Sequence, residues 1–363
     1  MQFTIRDYIR EISSYYGEKD VYQNFGSNCD EYTLIKEFEM PVIQQMPISI
    51  IQTLLASNSY IRATEETSFK IHKGYPSPRS LYPLQLFFSL GEGIFLKNNE
   101  VDTTQNYFKN ENVIIEPGSL ILEVENKYPE YYSHIRKTLS TLEMGHLLYN
   151  ILYIANLLGI NYSLNIAENR ILLIHPQSIA TTDNINYSRL EKFNQSCQLR
   201  SSGPYRFRIL NTSINYNGSP QKLTRNLNNI CTNMYQFFQL ESENSIQALV
   251  YHNDGSGKFV CENQSYSDLS YQKVNKIYPH INFYGVSFFV FFLLDHTVLT
   301  DENITGHLLM LGYLAQFVCL QFLGEDKFCR PIKSFDMNTV ESILGIDGAQ
   351  YTSYYLLVAG KVD

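Results

Sequence analysis

Apolar residues along this chain fall into two long segments that predict helices and several short runs that predict strands. In the first long segment they recur at the i, i+3, i+4 and i+7 spacing of one helix face, as Met144, Leu147, Leu148, Ile151, Leu152, Ala155 and Leu158. The second, 304–323, is apolar nearly all round, which is typical of a helix covered on every side. Strands are predicted at 84–90, 119–123, 171–174, 247–251, 286–294 and 355–358. Helices and strands alternate in both halves, which predicts an α+β or α/β fold.

A short repeat indicates that the chain consists of two related halves. The tetrapeptide Gly-His-Leu-Leu at 145–148 recurs at 306–309, nearly half the chain further on. Both copies are expected to open long apolar helices, and each helix is followed by a connection and a short apolar strand. The order of elements therefore repeats together with the tetrapeptide.

The two halves are expected to meet near the middle of the sequence. The stretch 176–199 is polar and lacks sustained periodicity, so it predicts a surface connection with a boundary near 180–195. This gives an N-terminal half over 1–185 and a C-terminal half over 195–363, with the pseudo-twofold contact expected at the apolar helix 304–323.

The charge balance and the cysteines disfavour several classes of function. The chain has 28 basic and 36 acidic residues, and its formal charge of -8 disfavours a general binder of nucleic acid or anionic membranes. No apolar run reaches the ~20 residues that cross a bilayer, and the N-terminus lacks the continuous apolar core of a signal peptide. The six cysteines form no Cys-x-x-Cys pair, and no histidine cluster has zinc-ligand spacing. We therefore expect a cytoplasmic protein with reduced thiols and no bound metal.

Residues 74–86 resemble the flavin-side loop of the azoline (thiazoline/oxazoline) dehydrogenases. Their sequence is Gly-Tyr-Pro-Ser-Pro-Arg-Ser-Leu-Tyr-Pro-Leu-Gln-Leu, and the family pattern is P-S-G-G-A-L-Y-P-x-E-x-Y, so Pro78 and Arg79 replace its two glycines. Downstream, Glu143-Met144-Gly145-His146 followed by Asn150 is similar to the family's E-x-G-H-x-x-Q-N helix start. These enzymes belong to the FMN-dependent nitroreductase superfamily and act in the biosynthesis of streptolysin- and microcin-type peptides.

The resemblance implies a nitroreductase-like fold in two tandem copies that form an intramolecular pseudo-dimer. Residues 60–175 are similar to the catalytic core of the family, and 200–363 resemble a second, more diverged copy. In the superfamily a homodimer holds FMN at its interface, with ring contacts from one subunit and phosphate contacts from the other. The resemblance therefore implies one FMN per chain, in a single composite site.

The two halves are expected to divide the FMN contacts between them. Ring-side contacts are implied for Pro76, Ser77, Arg79, Ser80, Tyr82 and Asn150 of the first half. In the second half, Arg200–Phe207 is similar to the family's R-x-S-x-x-x-R-F phosphate-end motif, and relatives often place a cationic contact where this chain has Gly360-Lys361. Phosphate contacts are accordingly implied for Arg200, Ser202, Arg206 and Lys361. Guanidinium forks and hydroxyl donors are the groups that a phosphate needs.

The resemblance also implies catalytic roles for Tyr131 and Tyr132. The azoline dehydrogenases have a Lys-Tyr pair 12 and 11 residues before the motif glutamate, here Glu143, and the pair assists proton removal as hydride leaves to the flavin. Tyr131 stands at the position of that lysine. A tyrosine, with a reference pKa of ~10, needs a nearby cation to act as a base, and His134, Arg136 and Lys137 are candidates. A packing role for the two tyrosines stays open in a chain with 28 Tyr.

Four other features are interpreted without a catalytic role. His146 and His307 are expected to be structural histidines bonded to backbone near a helix start. The sequence Asp-Gly-Ser-Gly at 254–257 predicts a hairpin turn. The run 48–55 predicts a helix, and whether the leading segment 1–60 binds a leader peptide or packs on the protein stays open.

These observations predict an FMN-dependent dehydrogenase or oxidase that acts on a peptide or carrier-protein-bound substrate. The reaction is expected to be azoline to azole oxidation or a related C–N or C–C oxidation in peptide natural-product biosynthesis. Two alternatives remain: a nitro or quinone reductase that uses a nicotinamide donor, and a non-catalytic scaffold subunit of a peptide-modifying complex. Other subunits of such a complex are the partners expected, and neither nucleic acid nor a membrane is.

Overall fold

The structure is a computed structural model that describes the chain between Thr33 and Val362 with gaps. The described residues are 33–35, 46–63, 71–98, 105–110, 112, 115–125, 128–167, 170–174, 186–203, 212–213, 219–263, 265–278, 281–324 and 326–362. Arg206, most of the leading segment and the first part of the predicted connection lie outside them.

The described helices are α1 (Ile48–Ala56), α2 (Arg136–Leu157), α3 (Tyr187–Leu199), α4 (Pro220–Met234), α5 (Tyr271–Val274), α6 (Ile304–Cys319) and α7 (Met337–Leu344). The described strands are β1 (Thr33–Ile35), β2 (Tyr60–Ala63), β3 (Ile71–Lys73), β4 (Leu84–Gly91), β5 (Ile94–Asn98), β6 (Gln105–Lys109), β7 (Leu120–Val124), β8 (Ser163–Ala167), β9 (Arg170–Ile174), β10 (Thr212–Ser213), β11 (Ile246–Asn253), β12 (Lys258–Cys261), β13 (Leu269–Ser270), β14 (Val286–Asp295), β15 (Lys327–Ile332) and β16 (Tyr351–Val362). The chain forms two compact units, and the main break between them lies between Gln198 and Leu199.

The first unit is built on an antiparallel sheet with the strand order β1-β6-β5-β4-β7-β9-β8. Its central strand β4 is buried at all 8 positions, and helices α1 and α2 pack against it. The strand is correspondingly apolar, with Gln85 and Ser89 as its two polar residues. Helix α2 is buried at every residue from Thr138 to Ile151. The polar side chains on that stretch are therefore buried as well.

The second unit contains a second antiparallel sheet with the order β10-β16-β14-β11-β12-β13, and β15 also pairs with β16. Strand β14 is buried at all 10 positions. One face of the sheet forms a hydrophobic core with α5 and α7 that includes Leu249, Tyr251, Phe289, Phe291, Leu356, Val340 and Val274. The alternate residues Val290, Phe292 and Leu357 are also buried, so both faces of the sheet are covered.

The structure confirms the predicted strands at 84–90, 119–123, 247–251 and 286–294 within a residue or two. It also confirms the helix predicted at 48–55, which is α1. The hairpin turn at 254–257 connects β11 to β12, and Asp254 closes it because its Oδ1 accepts the backbone N–H of Ser256 at 2.8 Å.

Two sequence interpretations are wrong in their local structure. The predicted connection 176–199 contains helix α3, in which Leu190, Phe193 and Cys197 are buried. Polar residues separate these three apolar residues, so the segment shows no clear helical periodicity in its apolar positions. The first Gly-His-Leu-Leu copy also does not open its helix, because α2 begins at Arg136, whereas the second copy lies in the first turns of α6.

No helix among the described residues is both long and apolar enough to cross a membrane.

Candidate functional site

The loop between β3 and β4 has an unusual backbone. Among the described residues five that are not glycine have positive φ, and three of them are Arg79 (51°), Ser80 (53°) and Tyr82 (46°). The left-handed conformation costs an L-residue about 1–2 kcal/mol. Pro78 starts a short 3-10 turn that runs to Ser80, and its fixed φ suits that first position. Strained residues of this kind cluster at functional sites, where surrounding contacts hold them.

A buried carboxylate holds this loop in place. Glu143 of α2 is 2% exposed, and its Oε2 accepts the hydroxyl of Ser77 at 3.0 Å and the hydroxyl of Tyr128 at 2.9 Å. Ser77 Oγ in turn accepts the backbone N–H of Tyr82 at 2.9 Å. Asn150, about two turns further along the same face of α2, donates from Nδ2 to the carbonyl of Gly74 at 3.3 Å. Helix α2 therefore fixes the beginning and the middle of the loop.

A second polar cluster contacts the base of the loop and centres on the half-buried Asn58. Its Oδ1 accepts from Lys73 Nζ at 3.1 Å and from the Tyr75 hydroxyl at 2.8 Å, and its Nδ2 donates to the carbonyl of Leu84 at 3.0 Å. Lys73 is 1% exposed, and its ammonium lies 5.7 Å from the centre of the Tyr82 ring. Tyr75 meets the same ring edge-on at 5.4 Å. These contacts stiffen the base of the loop before any ligand binds.

The structure therefore gives different surroundings to the predicted ring-side residues. Tyr82 is buried and packs inside the unit, and Asn150 is buried against the loop backbone. Pro76, Ser77 and Ser80 are half-buried and Arg79 is exposed. The Ser77 hydroxyl proton is directed to Glu143, and Ser80 Oγ lies 3.4 Å from His72 Nδ1. Whether these residues contact a flavin stays a prediction.

The predicted catalytic pair lies on a short 3-10 turn, Glu130–Tyr132, just before α2. The Tyr132 ring meets the Tyr128 ring edge-on at 5.9 Å, and Tyr128 is the residue whose hydroxyl reaches Glu143. One carboxylate therefore links the segment of the candidate tyrosines to the ring-side loop. The side chain of Tyr131 lies outside the described part of the structure.

In the second unit two of the predicted phosphate-end residues, Arg200 and Ser202, lie in one tight turn. Arg200 is 2% exposed, and its Nη1 donates to Ser202 Oγ at 3.0 Å. Arg330 of β15 donates from Nε to the carbonyl of Ser202 at 2.8 Å and from Nη2 to the carbonyl of Gly203 at 3.0 Å. Gly203 adopts φ 74°, which favours glycine. Burial lowers the pKa of Arg330 to about 10, with a smaller opposite effect of Tyr278.

Lys361 has a different partner from the other phosphate-end residues. Its Nζ forms an ion pair with Asp326 Oδ2 at 2.9 Å. The hydrogen bond to Lys361 lowers the pKa of Asp326 below its usual value. Arg206 lies outside the described residues, so the structure brings together Arg200 and Ser202 of the four predicted residues.

Three residues of these clusters received no site role from the sequence: Glu143, Asn58 and Arg330. Glu143 stood in the recognised helix motif, but its contact with Ser77 spans 66 residues. Arg330 contacts Ser202 across 128 residues and sits in an apolar strand without any motif. No pattern in the sequence indicates either contact. Each contact depends on which helices and strands the fold places side by side.

The first repeat histidine and the second have similar burial but different positions in their helices. His146 is 1% exposed in the middle of α2, and His307 is fully buried in the first turn of α6. Nδ1 of His307 lies 2.9 Å from the carbonyl oxygen of Asn303. Burial lowers the pKa of His307 to about 4, and the bond to Asn303 opposes this shift. The backbone-bonded structural role expected for His307 agrees with this contact.

Comparisons with known proteins support the fold. No protein-family model matches the chain, and no curated protein matches it. The crystal structure of a candidate nitroreductase from Anabaena variabilis superimposes with a TM-score of 0.56 at 12% identity, over 91% of this chain and 93% of its own. A nitroreductase family protein from Clostridium difficile gives a TM-score of 0.28 at 10% identity, over 46% of this chain and 81% of its own, which is too low to support an argument.

The fold of this chain is therefore nitroreductase-like, with the mixed α+β content that the sequence predicts. At this level of identity the likeness concerns the fold alone, and the tandem arrangement stays a prediction.

Proposed function

We propose that this protein is an FMN-dependent oxidoreductase that dehydrogenates a peptide or carrier-bound substrate. The observation that carries the proposal is the strained loop of the first unit, where Arg79, Ser80 and Tyr82 have left-handed backbones. Side-chain contacts from Glu143, Asn150 and Asn58 hold the loop in this conformation. Backbone strain of this kind is typical of loops that clamp a ligand. Because the fold is nitroreductase-like, we propose FMN as that ligand.

The donor set of the second unit suits the phosphate of FMN. A phosphate is bound by guanidinium groups and hydroxyl donors; Arg200 and Ser202 supply one of each in direct contact, and Arg330 holds the Ser202 carbonyl. Lys361 would add a further cation, although it already pairs with Asp326. Bound FMN would accept a hydride from the substrate.

The chain's own residues would handle the proton that the substrate loses. Ser77 and Tyr128 both donate to Glu143, and the Tyr132 ring packs on Tyr128. We propose that Tyr132, with Tyr131, receives or orients this proton, since a positioned tyrosine can act as a general acid or base. Azoline to azole oxidation is the reaction that the Pro76–Pro83 loop favours by its resemblance.

The spectrum of the purified protein tests the proposal. A yellow protein with one FMN per chain is expected, and a colourless protein that binds no added FMN would refute it. Incubation with a thiazoline-containing peptide should then bleach the flavin without oxygen and remove two hydrogens from the peptide, as followed by mass spectrometry.

A nitro or quinone reductase with a nicotinamide donor is the second candidate, favoured by the description of the Anabaena variabilis neighbour as a candidate nitroreductase. Stopped-flow mixing with NADH or NADPH separates the two. Rapid flavin reduction by either nucleotide supports the reductase, and reduction by the peptide alone supports the dehydrogenase.

A further inference from the structure

Three consecutive backbone carbonyls hold the turn Arg200–Gly203 against β15. The carbonyl of Ser201 accepts the N–H of Cys329 at 2.9 Å, and the next two carbonyls accept the two arms of the Arg330 guanidinium. Arg200 itself forms a β-bridge with Leu323. The turn is therefore fixed in position from its first to its last residue.

Within this turn the hydroxyl of Ser202 is oriented by a cation. Ser202 Oγ accepts from Arg200 Nη1 at 3.0 Å, and a hydroxyl that accepts in this way still has its own proton to donate. The described part of the chain holds no acceptor for that proton. Ser202 is half-buried whereas Arg200 is 2% exposed, so the hydroxyl is the group that an outside ligand can reach. A hydrogen bond from a charged donor polarises the hydroxyl and strengthens its own donation.

The positive charge at this turn favours an anion. Two guanidinium groups, from Arg200 and Arg330, contact the same residue, Ser202, in a chain whose formal charge is -8. Lys327 and Lys361 pair in the register of β15 and β16 at the end of the strand that carries Arg330, and Asp326 forms an ion pair with Lys361 there.

We propose that Arg330 is a positioning residue for the phosphate end of the ligand: it fixes the Ser202–Gly203 turn so that the Ser202 hydroxyl, polarised by Arg200, donates to a phosphate oxygen. The protein therefore selects FMN over riboflavin through a group that Arg330 positions without contacting the phosphate itself. This inference rests on the proposed FMN-dependent function.

The test compares the dissociation constants of FMN and riboflavin for wild type, Arg330→Met, Arg330→Lys and Ser202→Ala, measured by quenching of flavin fluorescence. We expect Arg330→Met and Ser202→Ala to weaken FMN binding by about ten- to a hundredfold, the range for a hydrogen bond to a charged group, and to leave riboflavin binding within about twofold. Arg330→Lys should lose part of the FMN affinity, since lysine keeps the charge without the two-armed geometry. Arg225→Met, at an exposed arginine of α4, is the matched control and should change neither constant.

The double variant Ser202→Ala/Arg330→Met separates positioning from direct contact. If Arg330 acts through Ser202, adding Arg330→Met to Ser202→Ala causes no further loss of FMN over riboflavin selectivity. Independent, additive losses would overturn the proposal, because they would show a direct contact.

The other possible outcomes of the binding measurements also test the role of Arg330. Equal losses for both ligands would show that Arg330 only stabilises the unit, and unchanged constants would show that it has no role; either result overturns the proposal. If Arg330→Met does not fold, as judged by far-UV circular dichroism, Ser202→Ala and Arg330→Lys give the same decision. A wild type that binds FMN and riboflavin equally refutes the phosphate inference alone, whereas a wild type that binds neither refutes the proposed function as well.

Discussion

His307 should make the stability of the second unit depend on pH below neutrality. The imidazole is fully buried, and Nδ1 faces the Asn303 carbonyl at 2.9 Å. No hydrogen-bond partner for Nε2 exists among the residues that the structure describes. A neutral ring with its proton on Nδ1 satisfies this site, and a second proton on Nε2 would be buried without an acceptor. Burial accordingly lowers the pKa of His307 from 6.5 to about 4.

The sign and the size of the effect follow from proton linkage. Between pH 6.5 and about 4 the unfolded chain binds a proton at His307 that the folded chain does not, so the free energy of unfolding rises with pH. The stabilisation is complete above pH 6.5 and is lost as pH falls toward the folded value. Each pKa unit corresponds to about 1.4 kcal/mol, so about 2 kcal/mol should be lost between pH 8 and pH 5 and about 3 kcal/mol below pH 4.

Replacement of His307 by Asn provides the comparison, because the Asn amide can still donate to the Asn303 carbonyl but does not titrate. Urea unfolding is followed by far-UV circular dichroism, since the chain has no Trp. We expect His307→Asn to be less stable than wild type at pH 8 and to lose about 2 kcal/mol less than wild type on going to pH 5. All other titrating groups cancel in this difference. The same pH dependence in both proteins would show that the imidazole does not stay neutral in the folded state.

Three further predictions concern the repeat helix and the candidate site. A Cβ at Gly306 would overlap the carbonyl oxygen of Phe238, so Gly306→Ala should lower the free energy of unfolding by about 1–3 kcal/mol; Gly348→Ala, where the nearest atom is the end of a flexible glutamate, should cost less in the same thermal melt. Ser77→Ala removes the acceptor of the Tyr82 N–H, so hydrogen exchange at that amide should accelerate, and an unchanged rate would mean that another group holds the loop. Tyr132→Phe should slow substrate-driven flavin reduction by about a hundredfold, within the usual range for an acid or base, while the FMN dissociation constant stays the same; equal rates would remove Tyr132 from the mechanism.

The sequence alone predicted the parts of the fold that depend on dense, local apolar patterns. Strand β14 is apolar except for Ser287 and its last residue Asp295 because both faces of its sheet are covered, and this run predicted the strand almost to the residue. Helix α3 was missed because its three buried residues are diluted by polar ones. A surface helix with so narrow an apolar face resembles a loop until the unit that it packs against is known.

The candidate site shows the same division between local pattern and tertiary structure. The sequence indicated the loop at 74–86 and the segment at Arg200, because the turn-forming and charged residues of each motif lie close together in the sequence. The left-handed backbone at Arg79 could not be predicted, since an arginine adopts it only when surrounding contacts compensate the strain. Glu143 beneath Ser77 and Arg330 beside Ser202 also came from the tertiary structure alone. Contacts over such distances in sequence depend on how helix and strand pack, and packing is a property of the whole unit.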